Sequence, residues 1–293
     1  MSPPIEIRPV RPADRERVLR WVRDRARDRS DVIDDEEFAD DELEARFEQW
    51  VTTPTGLFAG AELEGELAGV FRLRPIAAGK VVVEGLAVDV AQRRRGIATA
   101  MLERAIAQSR AQGIRQLRMV GSSPALASLA ANAGFRTVVR AASWHASRLE
   151  GDEPAPLGRP ADVDRLLQAV TGDPEAHRYA GGLVGPGEAA DLDRTTLAER
   201  ADRGRVRVGP GQRALAVLAD REDHIAVCFL AGRQAALGTL AEQLRFEADL
   251  HDLPDVRVWL PEHHPAQVGL EEAGFRSDGR RALALYHLDL VDD

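Results

Sequence analysis

One stretch of the sequence decides the fold: Val88-Asp89-Val90-Ala91-Gln92-Arg93-Arg94-Arg95-Gly96-Ile97-Ala98-Thr99-Ala100-Met101-Leu102. It runs from the end of an apolar strand, through a turn rich in hydrogen-bond donors, to a glycine that opens a helix. The first amides of a helix have no intrahelical partners and lie at the positive end of its dipole, so they attract phosphate. Neighbouring arginines can pair with phosphate through their fixed forks of donors. The stretch therefore predicts a phosphate-binding loop around Gly96.

This loop differs from two common nucleotide-binding motifs. It has no Gly-Lys-Ser/Thr, which excludes a Walker loop, and it lacks the three-glycine spacing of a dinucleotide fingerprint. Gly96 is expected to let a ligand approach the backbone closely, and Ala98 to keep the next turn free of bulk.

The elements around the loop alternate between strands and helices. Strands are predicted where β-branched and aliphatic residues cluster, and helices where apolar residues recur at helical spacing. The predicted strands of the first half are Ile5–Arg8, Gly56–Leu63, Leu67–Leu73, Val81–Val88, Leu117–Val120 and two within Phe135–Leu149. One predicted helix starts at Ala13, and the others cover Phe38–Val51, Gly96–Ala111 and Pro124–Ala133. This order favours the α/β fold class, with a mixed sheet and helices on its faces, and excludes a doubly wound Rossmann unit.

Two short motifs recur in the same order along the chain. Arg11-Pro12-Ala13-Asp14 recurs as Arg159-Pro160-Ala161-Asp162, and Ala133-Gly134-Phe135-Arg136 recurs as Ala273-Gly274-Phe275-Arg276. Their order and near-equal spacing indicate an internal duplication. The charged, proline-rich segment 150–156 lies between the copies and is typical of a linker. The sequence therefore predicts two domains, 1–150 and 151–293.

In this setting, Arg93-Arg94-Arg95-Gly96-Ile97-Ala98 resembles the Arg/Gln-x-x-Gly-x-Gly/Ala signature of the GNAT superfamily of acyl-CoA-dependent N-acyltransferases. The resemblance extends from Ile5 to about Leu149. It implies two tandem GNAT-like domains and a co-substrate, acetyl-CoA, whose pyrophosphate meets the amides of the loop. It also implies that one strand pairs with the pantetheine arm and polarises the thioester carbonyl through a backbone amide, which stabilises the oxyanion of acyl transfer. The implied cofactor-binding residues are Leu86, Ala87, Val88, Arg93, Arg94, Arg95, Gly96, Ile97, Ala98, Thr99 and Ser123.

Glu84 is the candidate catalytic residue. An acceptor amine must lose a proton before it attacks, and in several family members a glutamate at this spacing assists or positions the amine. Period-two alternation along the strand predicts that Glu84 shares a face with Val88. The alternative is an ordinary strand glutamate paired with an arginine.

The tyrosine that often protonates the leaving thiolate in this family is missing. Its position, four residues before the Gly-Phe glycine, holds Ala130 in the first copy and Leu270 in the second. The only tyrosines are Tyr179 and Tyr286, both in the second half. Water, another side chain or the second domain is then expected to supply the proton.

Two further features bear on the site. Ser123 stands where the family often has an asparagine that touches the pantetheine arm, and it also fits an N-cap before Pro124. The segment from Asp31 to Glu48 holds ten acidic residues and one basic residue. In the family this region lines the acceptor entrance, which would suit a cationic acceptor; a solvated helix face is the alternative.

The second copy lacks the motif. Its counterpart strand, residues 224–230, runs through a short turn into a helix near Ala235 without the glycine signature, so we expect it to bind pyrophosphate poorly. It would stabilise the first copy or complete its acceptor pocket. His263 and His264, next to Pro265, indicate a helix start rather than a metal site, and no metal is predicted. Cys228 is expected to be a buried small residue rather than a nucleophile.

Composition limits the remaining classes. The 293 residues are 44% hydrophobic and 30% charged, with a formal net charge of −9 and one cysteine. The acidic balance argues against a nucleic-acid partner, and no long apolar stretch or signal peptide predicts a membrane association. A cytoplasmic monomer or homodimer is expected.

These features together predict an acetyl-CoA-dependent N-acetyltransferase that moves an acetyl group directly from the thioester to an amine of a small molecule or peptide. The alternative is a non-catalytic CoA-binding regulatory or scaffold protein, which the missing tyrosine leaves open. A third possibility is a transferase of longer acyl groups.

Overall fold

A computed structural model describes residues 4–20, 47–48, 50–51, 57–151, 153–171, 191–219 and 223–290. The chain packs as two compact units: unit 1 comprises Met1–Thr137 with Leu285–Asp293, and unit 2 comprises Val138–Ala284. The predicted boundary between 150 and 151 concerns the two sequence copies, and it stays a prediction. By packing, most of the strand that follows Ala133-Gly134-Phe135 belongs to unit 2, whereas Leu285–Asp293 belong to unit 1.

Unit 1 is built on a mixed sheet. Its strands are β1 (Ile5–Pro9), β2 (Leu57–Leu63), β3 (Glu66–Ala77), β4 (Lys80–Val88) and β5 (Gln116–Gly121), and its helices are α1 (Ile97–Ala111) and α2 (Pro124–Asn132). Residues 15–20, 47–48 and 50–51 are also helical. The strands lie in chain order, antiparallel except for the parallel pair β4–β5. This is the mixed α/β architecture that the sequence predicts.

Apolar side chains cover both faces of the unit 1 sheet. On one face, Val18, Leu19 and Phe47 pack against Phe58 and Val70. On the other face α1 lies close to β3. A Cβ on Gly69 would stand 2.9 Å from Met101 Cε and 3.1 Å from Ile97 Cγ2, so only glycine permits this approach.

Unit 2 has its own mixed sheet and helices. Its strands are β6 (Arg136–Ser147), β7 (Val206–Val208), β8 (Ala214–Leu218), β9 (Ile225–Gly232), β10 (Asp255–Pro261) and the first part of β11 (Arg276–Asp289), and its helices are α3 (Val163–Thr171), α4 (Arg194–Asp202), α5 (Gln234–Leu250) and α6 (Ala266–Glu272). The order is β6-β10-β9-β8-β7, and only β9–β10 is parallel. Strand β9 followed by α5 confirms the strand and helix predicted for the second copy.

The two sequence repeats have matching local geometry. Arg11 and Arg159 each precede a 3-10 turn in which their carbonyl accepts the amide of the aspartate three residues later, at 2.9 Å in both copies. Gly134 and Gly274 have left-handed φ of 85° and 82° at the ends of α2 and α6. Equal backbone conformations at both motifs support the duplication.

One predicted detail is wrong. Two strands were expected within Phe135–Leu149, but β6 is a single strand of 12 residues. Residues Ala141 to Ser147 of β6 pair with β10. The strand next to β5 is not β6 but the last part of β11. Strand pairing depends on partners far away in sequence, which the local pattern does not reveal.

Two smaller predictions are confirmed in unit 2. Cys228 is buried within β9, and its Sγ contacts the carbonyl of Val217 at 3.3 Å. His264 Nδ1 accepts a hydrogen bond from the amide of Ala266 at 3.1 Å, at the start of α6. The histidine pair therefore marks a helix start.

Candidate functional site

The turn between β4 and α1 has the backbone geometry of a phosphate-binding loop. Asp89 Oδ1 accepts a hydrogen bond from the amide of Ala91 at 2.9 Å, which fixes the start of the turn. No side chain caps α1 at Gly96, and the first intrahelical bond runs from the amide of Ala100 to the Gly96 carbonyl at 3.0 Å. The amides of the first turn of α1 are therefore available to an anion.

Gly96 is required for its backbone angle. Its φ of 80° and ψ of 3° lie in the left-handed region that favours glycine. A Cβ built there would have no heavy atom within 4 Å, so crowding by the protein itself is not the reason for the glycine. Arg94, two residues earlier, also has a positive φ of 66°, which is uncommon for a residue with a side chain and is often found at functional sites.

A cavity of about 280 Å³ opens where this turn, the end of β4 and the start of α2 meet. Nine of the eleven predicted cofactor residues line it: Leu86, Val88, Arg93, Arg94, Gly96, Ile97, Ala98, Thr99 and Ser123. Apolar walls with a few convergent donors are typical of a cofactor site. The fold thus brings the strand, the loop and both helices to one cavity.

The other two predicted residues point elsewhere. Ala87 packs in the core with Phe58 and Val70, on the opposite face of the sheet. The Arg95 guanidinium donates to Gln92 Oε1 at 2.6 Å and lies 3.5 Å from Glu64 Oε1. Both side chains therefore have structural contacts, and a role in cofactor binding would be left to their backbone.

Four cavity residues were missed by sequence reasoning: Gln92, Ala125, Leu126 and Leu129. Three of them lie on α2 at positions i, i+1 and i+4. This spacing marks one face of a helix, and it was the available signal that α2 presents a face to the site.

Ser123 has the N-cap role that its sequence context suggests. Its Oγ accepts a hydrogen bond from the amide of Leu126 at 3.1 Å, and Pro124 is the first residue of α2. Because Ser123 also lines the cavity, the capping role and a ligand contact are compatible.

Strands β4 and β5 separate beside the cavity. Their parallel pairing covers Lys80–Val83 of β4 and Gln116–Met119 of β5 and ends there. Strand β4 nevertheless continues to Val88 and β5 to Gly121. The backbone groups of β4 after Val83 thus face a gap, where an extended ligand can pair with them as an added strand would.

A β-bulge in β4 lies at the same place. Glu84 pairs with Arg72 and Ala87 pairs with Val70, so three steps along β4 match two along β3. The extra residue breaks period-two alternation. The alternation that predicted a shared face for Glu84 and Val88 therefore does not hold across this stretch of β4. The catalytic role of Glu84 stays a prediction.

Ala130, which stands where the family often has a tyrosine, is a core residue. Ala130 is fully buried within α2, and its carbonyl accepts the amide of Phe135 at 2.9 Å. Tyr286, which belongs to the second half by sequence, lies in unit 1 because the last strand packs there. No local sequence pattern indicates this placement.

The corresponding turn of unit 2 is filled by the protein itself. The amide of Arg233, just before α5, donates to the carbonyl of Arg213 at 2.9 Å. A Cβ on Gly232 would stand only 2.3 Å from that oxygen. Gly269 occupies the position of Leu129 in the repeat, and a Cβ there would lie 3.2 Å from the amide nitrogen of Gly238 on α5. In unit 2, helices α5 and α6 are therefore in contact at the place that corresponds, in the repeat, to the cavity lined by α1 and α2.

Some of the predictions concern residues outside the described part of the chain, and others concern a metal site or a membrane span. Most of the acid-rich segment 31–48 and Tyr179 lie outside the described part of the chain. Within that part, no group of three or more His, Cys, Asp or Glu residues offers a ligand set for a metal ion. None of its helices has the length and apolar character that crossing a bilayer requires.

Comparison with known proteins shows what the chain is similar to. Residues 17–135 match the model of the acetyltransferase (GNAT) family. No curated protein is significantly similar in sequence. Among solved structures, a GCN5-related N-acetyltransferase from Sphaerobacter thermophilus aligns with a TM-score of 0.64 at 12% identity, over 98% of this chain and 96% of that one.

Two further structures share the architecture. A tandem GNAT protein from the clavulanic acid biosynthesis pathway aligns with a TM-score of 0.58 at 15% identity, over 99% of this chain and 100% of that chain. A GCN5-related N-acetyltransferase from Kribbella flavida aligns with a TM-score of 0.54 at 16% identity, over 98% and 71%. The chain has the tandem GNAT fold. Within it, residues 17–135 are similar to the GNAT acetyltransferase family.

Proposed function

We propose that unit 1 is an acetyl-CoA-dependent N-acetyltransferase that transfers the acetyl group directly to an amine of a small molecule or peptide. The observation that carries this proposal is the cavity of about 280 Å³ at the start of α1, where unpaired helix amides, two arginines and the open edge of β4 converge. The same cavity is lined by most of the residues that the family signature implies.

The loop would hold the diphosphate of the co-substrate. The first-turn amides of α1 supply donors at the positive end of the helix dipole, and Arg93 and Arg94 line the same cavity. The pantetheine arm is an extended chain with amide groups, and it fits the gap between β4 and β5. There it would pair with the backbone of β4 from Leu86 to Val88.

The proposed reaction is amide formation without a covalent enzyme intermediate. The acceptor nitrogen attacks the thioester carbonyl carbon, and the carbon–sulfur bond breaks. The leaving thiolate takes a proton from water or from another side chain, and CoA departs as the thiol. A backbone amide of β4 would stabilise the oxyanion, the effect that usually contributes most in acyl transfer. Glu84 would accept the proton of the amine or anchor it.

We further propose that the protein has one acetyl-CoA site. In unit 2 the carbonyl of Arg213 takes the amide that a diphosphate would need, which supports a degenerate second copy. A cytoplasmic location and a monomeric or homodimeric state belong to this proposal.

Calorimetric titration with acetyl-CoA tests the binding part. We expect saturable binding of one equivalent per chain and a raised melting temperature. Acetyl-pantetheine, which lacks the diphosphate, should bind far more weakly. Failure of acetyl-CoA to bind would remove the proposal.

The second candidate function is a CoA-binding regulatory or scaffold protein without turnover. The alanine at position 130, in place of the family's tyrosine, favours it. Release of free thiol from acetyl-CoA with a panel of amines separates the two candidates, because only the enzyme consumes the thioester. Propionyl-CoA and succinyl-CoA in the same assay test the preference for acyl chain length.

A further inference from the structure

We propose that the adenine ring of the co-substrate lies in a second cavity of unit 1, between α1 and α2, where Asn132 binds the amino edge of the base. This inference rests on the acetyl-CoA binding proposed above and adds how the nucleotide half is recognised. It follows from the position of this second cavity, the inter-helix groove, and from the chemistry of the residues that line it.

The inter-helix groove has a volume of about 390 Å³ and adjoins the cofactor cavity. Thr99 and Leu129 line both spaces, so one ligand can occupy the two together. Along α1 the lining of the groove continues to Arg110, which lies about 16 Å from Thr99 at the helical rise of about 1.5 Å per residue. The groove therefore has the volume of a small-molecule site and the length to accept a nucleoside.

The groove begins where the diphosphate of the co-substrate would end. The free amides at the start of α1 follow Gly96, and Thr99 lies within the same first turn. The pantetheine arm would leave the diphosphate towards the gap between β4 and β5, so the nucleoside has to leave it in another direction. The inter-helix groove offers that direction, because it opens from the cofactor cavity at Thr99.

The lining of the groove suits an uncharged planar ring. Leu102, Ile106 and Leu288 contribute apolar surface, and Leu102 is fully buried. The charged residues of the lining are one acid, Glu103, and one base, Arg110, so their formal charges cancel. Such a groove favours a neutral ligand with an apolar face and polar edges over an anion or a cation. Adenine is a ligand of this kind.

Asn132 is the lining residue whose chemistry matches the edge of adenine. It is the last residue of α2, and it is exposed to solvent. Its side-chain amide has an acceptor oxygen and a donor NH2 group, which together pair with the 6-amino group and N7 of adenine. From α1, Glu103 can accept a hydrogen bond from the same amino group or from the ribose, and the Arg110 guanidinium can stack on the ring.

The corresponding space in unit 2 is closed. Helices α5 and α6 pack directly against each other, and a Cβ on Gly238 of α5 would lie 3.6 Å from the carbonyl oxygen of Gly269 on α6. Leu129 takes the place of Gly269 in unit 1, where it lines the groove. The groove is therefore open in the copy that has the glycine signature and closed in the copy that lacks it. This difference supports a ligand that extends from the loop into the groove.

The test compares nucleotides that differ only at the amino edge of the base. Calorimetric titration is carried out with ADP against IDP, whose base has an oxygen in place of the 6-amino group. It is repeated with CoA against 1,N6-etheno-CoA, in which the amino group is blocked. We expect ADP to bind in competition with acetyl-CoA, and the Kd of each altered nucleotide to be about tenfold or more above that of its adenine partner.

Variants then locate the effect in the groove. Asn132→Ala should raise the Kd of ADP and CoA about tenfold and leave that of IDP and etheno-CoA unchanged, because these two lack the edge that Asn132 binds. Glu272→Ala, at the same position of the repeat in unit 2, is the matched control and should change no Kd. Ala107→Phe fills the groove from an exposed position and should weaken all four nucleotides, whereas Ala111→Phe, at the exposed end of α1, should weaken none.

Equal affinities for ADP and IDP in a protein that binds acetyl-CoA would overturn the inference and leave the proposed function intact. So would an Asn132→Ala variant that weakens all four nucleotides alike or weakens none of them. If acetyl-CoA does not bind but ADP binds in preference to IDP, the proposed function fails and the adenine site stands. If neither acetyl-CoA nor ADP binds, both proposals fail.

Discussion

Gly96 and Gly113 flank α1, and both have left-handed backbones, with φ of 80° and 69°. Neither would contact another heavy atom within 4 Å if it carried a Cβ. The two glycines therefore carry the same conformational requirement. Only Gly96 lines the candidate cofactor cavity.

Alanine variants of these two glycines separate the effect on acetyl-CoA binding from the effect on the free energy of unfolding. Gly96→Ala and Gly113→Ala should each lower the free energy of unfolding by about 1–2 kcal/mol, because alanine is strained in the left-handed region. Only Gly96→Ala should weaken acetyl-CoA binding, by about tenfold or more, since it displaces the amides of the loop. Calorimetric titration of both variants measures this, and equal affinities would argue that the loop does not bind the co-substrate.

Ser123→Ala should have two effects, because Ser123 caps α2 and lines the cavity. Loss of the bond to the amide of Leu126 should lower the free energy of unfolding by about 1 kcal/mol, and acetyl-CoA affinity should fall severalfold. Ser128→Ala is the control, because Ser128 Oγ donates to the Pro124 carbonyl one turn back, at 3.0 Å, on the exposed side of the same helix. Identical chemical denaturation curves for the two variants would contradict the capping role.

Glu84→Gln tests the proposed base. If Glu84 accepts the amine proton, kcat for thiol release should fall by about 100-fold or more near neutral pH, and the Kd for acetyl-CoA should not change. Glu66→Gln, at the exposed start of β3, should leave kcat unaltered. An unchanged kcat in Glu84→Gln would make this residue an ordinary strand glutamate.

Arg207 and Glu247 form a buried ion pair in unit 2. Arg207 Nε lies 2.7 Å from Glu247 Oε2, and the side chains are 10% and 6% exposed. Glu247→Gln should destabilise the protein by about 3–5 kcal/mol, because it leaves a buried guanidinium without its counter-charge. The double variant Arg207→Met/Glu247→Leu should recover much of this loss. Asp164 forms an exposed ion pair with Arg194, at 2.7 Å, so Asp164→Asn is the matched control. If Glu247→Gln unfolds at the same denaturant concentration as Asp164→Asn, the buried pair contributes nothing.

His224 should make stability depend on pH. Burial, and then the nearby charge of Arg257, lower its pKa below the ordinary value of 6.5, although Asp223 opposes the shift. Above pH 6.5 the ring is neutral in both the folded and unfolded states. Below it the unfolded state binds the proton more tightly, so the free energy of unfolding falls as the pH drops.

The His224→Asn variant should remove this dependence between pH 5 and 7, as measured by urea unfolding at several pH values. His145→Asn, at an exposed position on β6, should retain it. A wild-type protein whose unfolding free energy is flat over this range would show that His224 does not titrate differently on folding.

The amino-acid sequence alone determined the features that depend on neighbouring residues. The strand, turn and helix around Gly96, the N-cap at Ser123 and the paired motifs of the duplication each arise within one or two turns of chain. Their backbone angles and capping bonds follow from local chemistry, so nine of eleven predicted cofactor residues meet in one cavity.

Only the tertiary structure decided the features that depend on distant partners. The bulge in β4 arises from the pairing of β3 with β4, and the gap beyond Val83 arises because the pairing of β4 with β5 ends there. Tyr286 lies in unit 1 because the last strand packs there. Pairing register and strand order depend on residues far apart in the chain, and period and composition carry no information about them.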